Sequence, residues 1–170
     1  MTVRYAVAKK AARDLLAKAK VKAAPVPVDK LAVHAKAVVR PRKMSDELGS
    51  GSVQWQPDGT AIIGVNASHV ASRQRFTIAH ELGHVALHGD ADYHFDQKIR
   101  YRNDVSSRAI DEAEIEANQF AAELLMPEAF LKQDVDGLEL DDTAIEDLAR
   151  KYQVSVQAMT IRLTVLGYLR

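Results

Sequence analysis

The sequence predicts an α+β fold that is mostly helical, with a small antiparallel sheet and a C-terminal pair of helices. Three observations carry that prediction. Apolar residues recur at helical spacing in several stretches, most clearly over residues 109–126. Two strand-like runs, 52–56 and 60–65, flank the turn Pro57-Asp58-Gly59. Residues 143–167 read as helix, tight turn at Gln153-Val154-Ser155, then helix.

The elements follow in order. Residues 4–20 predict an amphipathic helix with Val7, Ala11, Leu15, Leu16 and Ala19 on its inner side. Pro25 and Pro27 impose an extended step. Asp29 can cap a short helix through Ala35, and residues 37–40 form a short strand. In Pro57-Asp58-Gly59, proline fixes φ, aspartate bonds its own backbone and glycine accepts positive φ, so an antiparallel hairpin is expected. A helix over residues 69–88 follows, then a long polar loop over 89–108. The helix over 109–126 ends near Pro127, which opens a short helix to Gln133. After an acidic linker, Asp142 caps a helix through Tyr152, and Ser155 caps another that stops before Gly167. The expected division is a core with its N-terminal helix over 1–135 and a C-terminal helical subdomain, packed on that core, over 136–170.

Composition narrows the class. The 170 residues are 47% apolar and 27% charged, which is ordinary for a globular protein. There is no cysteine, so disulfides and thiolate metal sites are excluded, and any metal must be held by histidine and carboxylates. No run approaches the ~20 apolar residues needed to span a bilayer, and no apolar segment after Met1-Thr2-Val3-Arg4 resembles a secretory signal. A cytoplasmic protein is the expectation. The net charge is zero but divided: residues 1–43 hold 12 Lys and Arg against 2 acids. Such blocks point to internal docking, to plain solvation or to an acidic partner.

The chemistry concentrates in Phe76-Thr77-Ile78-Ala79-His80-Glu81-Leu82-Gly83-His84-Val85-Ala86-Leu87-His88. Residues four apart share one helix face, so His80 and His84 can aim two imidazoles at one ion. This is the two-histidine zinc pattern of metallopeptidases, in which Glu81 is the candidate general base. The competing reading is a buried helix with two core histidines.

A third ligand distinguishes them. The continuation that would supply a third histidine fails, because Leu87 and Asp90 stand at the matching positions. A glutamate from the helix over 109–126 remains. Glu114 lies on the apolar face with Ile110, Ala117, Ala121, Leu124 and Leu125. Glu116 aligns with Gln119 and Glu123 on a face expected to be solvated, and Glu112 with them. A carboxylate on an apolar face is costly unless a metal ion compensates it, which favours Glu114. Asn118 can orient a ligating histidine, and Gly83 with the alanines at 113, 117, 121 and 122 allows close helix approach. For an oxyanion donor, His88, His94, Tyr93, Tyr101 and Arg102 are the nearest candidates; His88 continues the i, i+4 series to the rim of the site, yet a surface or core histidine is the favoured reading for it, and more so for His34, His69 and His94.

Two segments together resemble the ImmA/IrrE family of metallo-endopeptidases. They are Arg75-Phe-Thr-Ile-Ala-His-Glu-Leu-Gly-His84 with His88 after it, and Glu114-x-x-Ala-Asn-x-Phe-Ala-Ala-Glu-Leu-Leu-Met-Pro127. The likeness extends over most of residues 50–170. It implies a zincin-like core of the gluzincin type with a C-terminal helix-turn-helix-like unit. It also implies zinc held by His80, His84 and Glu114, with Glu81 as the base and Glu116 as the alternative register for the third ligand. The resemblance further implies cleavage of a helix-turn-helix repressor that releases stress-response or mobile-element genes. Two other readings stand beside it. One is a regulator that binds its repressor without cutting it. The other is a DNA-binding protein, which is disfavoured because the last helix carries only Arg162 as a cation and DNA binding needs several.

Overall fold

The computed structural model describes residues 3–44, 50–89, 93–95 and 104–169. Seven helices and four strands are described: α1 Tyr5–Lys18, α2 Val28–His34, β1 Ala37–Arg42, β2 Gly51–Trp55, β3 Ala61–Asn66, α3 Ala71–Leu87, β4 Tyr93–Phe95, α4 Asp104–Leu125, α5 Glu128–Asp134, α6 Asp142–Tyr152 and α7 Val156–Val165. The chain is therefore a mixed, mostly helical α+β protein.

The hairpin forms as its turn dictates. Trp55 pairs with Ala61 and Val53 with Ile63 in antiparallel register. Gly59 takes φ of 81° at the turn, and the Thr60 N–H donates to Asp58 Oδ1 at 2.9 Å. The sheet as a whole is mixed, not antiparallel as expected. Its order is β1-β3-β2-β4, and β1 runs parallel to β3, with Val39 opposite Ile63. A parallel neighbour needs a crossover connection, and here the outgoing strand β2 supplies it before β3 returns beside β1. Residues 89–108 also differ from a plain loop: β4 pairs Tyr93 with Gln54, and α4 begins at Asp104. Polar composition hid both elements, because an edge strand of three residues leaves almost no periodic signal.

Leu16 of α1 is buried as expected, and Ala11, Leu15 and Ala19 pack partly buried against the core, but the fully enclosed positions are Ala8 and Ala12, and Val7 is exposed. Arg4 and Arg13 reach α4. Arg4 pairs with Glu116, and Arg13 bridges Glu123 at 2.8 Å and Glu128 at 2.9 Å. Part of the basic N-terminal block is thus docked internally. The α4 face carrying Glu116 and Glu123 is correspondingly buried, at 4% and 1% exposure, and not solvated as its polar residues predict. Helical periodicity sees only the helix itself, and Arg4 and Arg13 reach it from more than a hundred residues away.

Helix α3 lies against β2 and β3 on one side and α4 on the other. Gly83 makes the second contact close: a Cβ there would stand 3.0 Å from Ala117 Cα and 3.2 Å from its carbonyl oxygen. The C-terminal helices join the same core through Ile145, Leu148, Tyr152, Met159 and Leu163. Asp141 caps α6 by accepting from the Ala144 N–H, and Ser155 caps α7 by accepting from that of Ala158. Buried Arg162 ties α7 to α4, pairing with Glu123 and donating to the Met126 carbonyl at 3.0 Å.

Candidate metal centre

Burial marks out the stretch of α3 that carries the motif. Thr77 through His84 are all buried, so the motif faces inward towards β2 and α4. His80 and His84 sit one turn apart with ring centroids 4.8 Å apart and planes at 73°. Their Nε2 atoms converge to 3.1 Å. From α4, Glu114 brings Oε2 to 3.1 Å from His80 Nε2 and Oε1 to 3.2 Å from His84 Nε2. Glu116, two residues on, points the other way towards Arg4 and His88. The structure thus brings together the two histidines and Glu114, and holds Glu116 apart from them.

The donor set suits a small divalent cation. Tetrahedral ligands at ~2.0–2.1 Å from zinc lie ~3.3 Å from one another, close to the 3.1 Å between the two Nε2 atoms and the 3.1 and 3.2 Å from each to one oxygen of Glu114. His80 Nδ1 lies 2.9 Å from Asn118 Oδ1, which accepts its proton and so assigns the lone pair to Nε2, on the side of Glu114. A carboxylate facing two converging imidazole nitrogens is a donor set that a cation placed between them satisfies. Among the described residues, His80, His84 and Glu114 form a group able to hold a metal ion.

Glu81 is fully buried beneath the start of β2. A Cβ on Gly51 would fall 2.7 Å from Glu81 Oε1 and 2.4 Å from Thr77 Cγ2. Gly51 is therefore a site residue that the motif alone does not reveal. Its one sequence signal is a glycine opening a strand, which often marks a close approach.

His88 lies at the rim, with Nδ1 3.2 Å from His84 Nδ1 and Nε2 3.0 Å from Glu116 Oε2. Arg4 donates to Glu116 from its backbone N–H at 2.7 Å, from Nε at 3.0 Å and from Nη2 at 2.7 Å. These bonds hold the Glu116 carboxyl down at about 2, against the opposing effect of burial. Of the other oxyanion candidates, Tyr101 and Arg102 and the side chains of Tyr93 and His94 lie outside the described residues. His34 ends α2 at the surface, and half-buried His69 lies 3.5 Å from the Asn66 amide.

A cavity of about 300 Å³ adjoins the centre, lined by Phe76, Thr77, His80, Glu114 and Asn118 among others. It shares Arg73, Phe76 and Asn118 with a larger groove of about 830 Å³ bounded by α3, α4 and α7. Val70, Ile115, Ile161 and Val165 expose apolar surface along that groove.

Similarity to known proteins agrees with this architecture. The chain is 32% identical over 117 residues to the radiation response metalloprotease IrrE of Deinococcus radiodurans, a match covering 69% of this chain and 34% of that protein. It is 32% identical over 108 residues to the radiation response metalloprotease IrrE of Deinococcus deserti, covering 64% and 37% respectively. The chain thus spans about a third of the length of these curated relatives. A solved Mycobacterium tuberculosis transcriptional regulator shares the fold with a TM-score of 0.64 at 16% identity, over 92% of this chain and 46% of that one. The model of the IrrE N-terminal-like domain matches residues 33–164, and the chain belongs to that family.

Proposed function

We propose that this chain is a zinc-dependent endopeptidase. The observation that carries the proposal is the convergence of His80 Nε2 and His84 Nε2, 3.1 Å apart, on the Glu114 carboxylate, whose Oε2 lies 3.1 Å from the first and Oε1 3.2 Å from the second. In this reading those three residues hold zinc and Glu81 is the general base. Bound there, zinc supplies a Lewis acid that acidifies water to a pKa of ~7 and polarises a carbonyl. The protein's own part is proton handling and orientation. Glu81 takes a proton from the attacking water as its oxygen bonds the peptide carbon, and returns it to the leaving amine nitrogen as the C–N bond breaks. Asn118 fixes the tautomer of His80, and the groove between α3, α4 and α7 accepts apolar side chains of the substrate.

The architecture is read as zincin-like of the gluzincin type over 1–135, carrying a helix-turn-helix-like subdomain over 136–170. The substrate is proposed to be a cytoplasmic helix-turn-helix repressor, cut to release stress-response or mobile-element genes. The family and the two relatives named as radiation response metalloproteases support a peptidase that serves a stress response, and the repressor is this proposal's own choice of substrate. No described helix is long and apolar enough to cross a membrane. Direct DNA binding through α7 is disfavoured, because its one cation, Arg162, is buried against Glu123.

The test is Glu81→Gln incubated with the repressor, and its capture of substrate identified by mass spectrometry. The variant should bind zinc and trap the repressor intact, while the natural protein cuts it. Repressor control that survives in the Glu81→Gln form would instead establish regulation by binding alone.

A further inference from the structure

One group of side chains beside the centre takes no part in the chemistry described above: Arg4, Glu116 and His88. They form a continuous line from the segment before α1 to the back of His84. Arg4 grips Glu116 through three donors, two on Oε1 and one on Oε2. Oε2 also lies 3.0 Å from His88 Nε2, and His88 Nδ1 lies 3.2 Å from His84 Nδ1.

The chemistry of each group sets the direction of every bond. An ionised carboxylate only accepts, so His88 Nε2 must carry a proton and donate. A neutral imidazole protonated on Nε2 has an acceptor at Nδ1. His84 must then donate from its own Nδ1, which leaves its Nε2 with a lone pair on the side of His80 and Glu114. The opposite tautomer of His84 would aim a proton into the centre and set two acceptors against each other at 3.2 Å. The line therefore does for His84 what Asn118 does for His80.

We propose that His88 is a positioning residue, held by Glu116 and Arg4, that fixes the tautomer and ring orientation of His84 for metal binding. The proposal rests on the zinc reading of the centre. It also assigns a role to the N-terminal segment, since Arg4 stands immediately before α1 and 112 residues from Glu116. Orientation of this kind contributes ~10–100-fold to metal affinity.

The experiment is zinc affinity by chelator competition on the full chain, with melting of the metal-free protein measured in parallel. His88→Leu should bind zinc at least tenfold more weakly. His88→Gln should recover most of that loss, because its carbonyl can accept from His84 and its amide donate to Glu116. Metal-free melting of the Leu and Gln forms should differ far less than their zinc affinities. Equal zinc affinity for His88→Leu and the natural protein would overturn the proposal, as would a Gln form no better than the Leu form. Should His88→Leu not fold, Glu116→Gln carries the same test from one bond further out, with a loss of several-fold expected and none contradicting. A natural chain that fails to bind zinc at all would instead remove the metal reading on which this one stands.

Discussion

Gly83 lies flat against Ala117, so closely that a Cβ at position 83 would meet the Ala117 Cα at 3.0 Å. That contact sets the distance between α3 and α4, and hence between the two imidazoles and Glu114. In Gly83→Ala, helix propensity gains ~1 kcal/mol, while forcing the helices apart costs ~1–3 kcal/mol. Folding stability should therefore fall slightly. Zinc affinity should fall by tenfold or more, because the ligands move with their helices. Chemical denaturation and chelator competition on the same sample check both; undiminished zinc binding would show that the contact does not set the site.

Gly51 covers the carboxylate of Glu81 in the same manner. A methyl at this position collides with Glu81 Oε1 and Thr77 Cγ2, both on a buried helix. Gly51→Ala is expected to reduce kcat at least tenfold while leaving zinc affinity within about threefold, since ~1 Å of displacement at a reacting group is enough for such losses. Steady-state kinetics on the cleaved substrate test this.

Acid should weaken the docking of α1. The Glu116 carboxyl is held at about 2, well below its ordinary 4.5, chiefly by Arg4. A carboxyl with a depressed folded-state value stabilises the protein above its unfolded value and loses that contribution as pH falls through the folded one. Stability from this pair should be complete above about pH 5 and decline progressively towards pH 2. Arg4→Ala should flatten that part of the profile, measured by urea midpoints across the range.

Arg162 and Glu123 form a buried pair joining α7 to α4, with Arg13 as a second partner of the carboxylate. Removing one member strands the other, at ~3–5 kcal/mol for a fully buried pair. Arg162→Ala should fall near the lower end, because Arg13 remains. Arg162→Met combined with Glu123→Gln should recover much of the loss. A single Arg162→Ala change costing under ~1 kcal/mol would show that α7 is not anchored there.

How much of this is legible in the chain depends on how local each signal is. The hairpin turn and the Ser155 cap depend on a few consecutive residues, and both form where those residues stand. The i, i+4 spacing of His80 and His84 needs only a helix to bring the rings together. The burial of Glu116 and Glu123 depends on Arg4 just before α1, Arg13 within it and Arg162 of α7, so the face of α4 that looks most polar is among the most enclosed. The parallel pairing of β1 with β3 and the cover of Gly51 over Glu81 are likewise long-range facts, with no periodicity to announce them.

The most direct measurement is zinc binding to the natural chain, Glu114→Gln and Glu116→Gln, by stoichiometry and chelator competition. One zinc per chain is predicted for the natural protein, an affinity loss of ~100-fold or more for Glu114→Gln, and a loss of only several-fold for Glu116→Gln. A Glu114→Gln form that binds zinc as tightly as the natural chain would contradict the account.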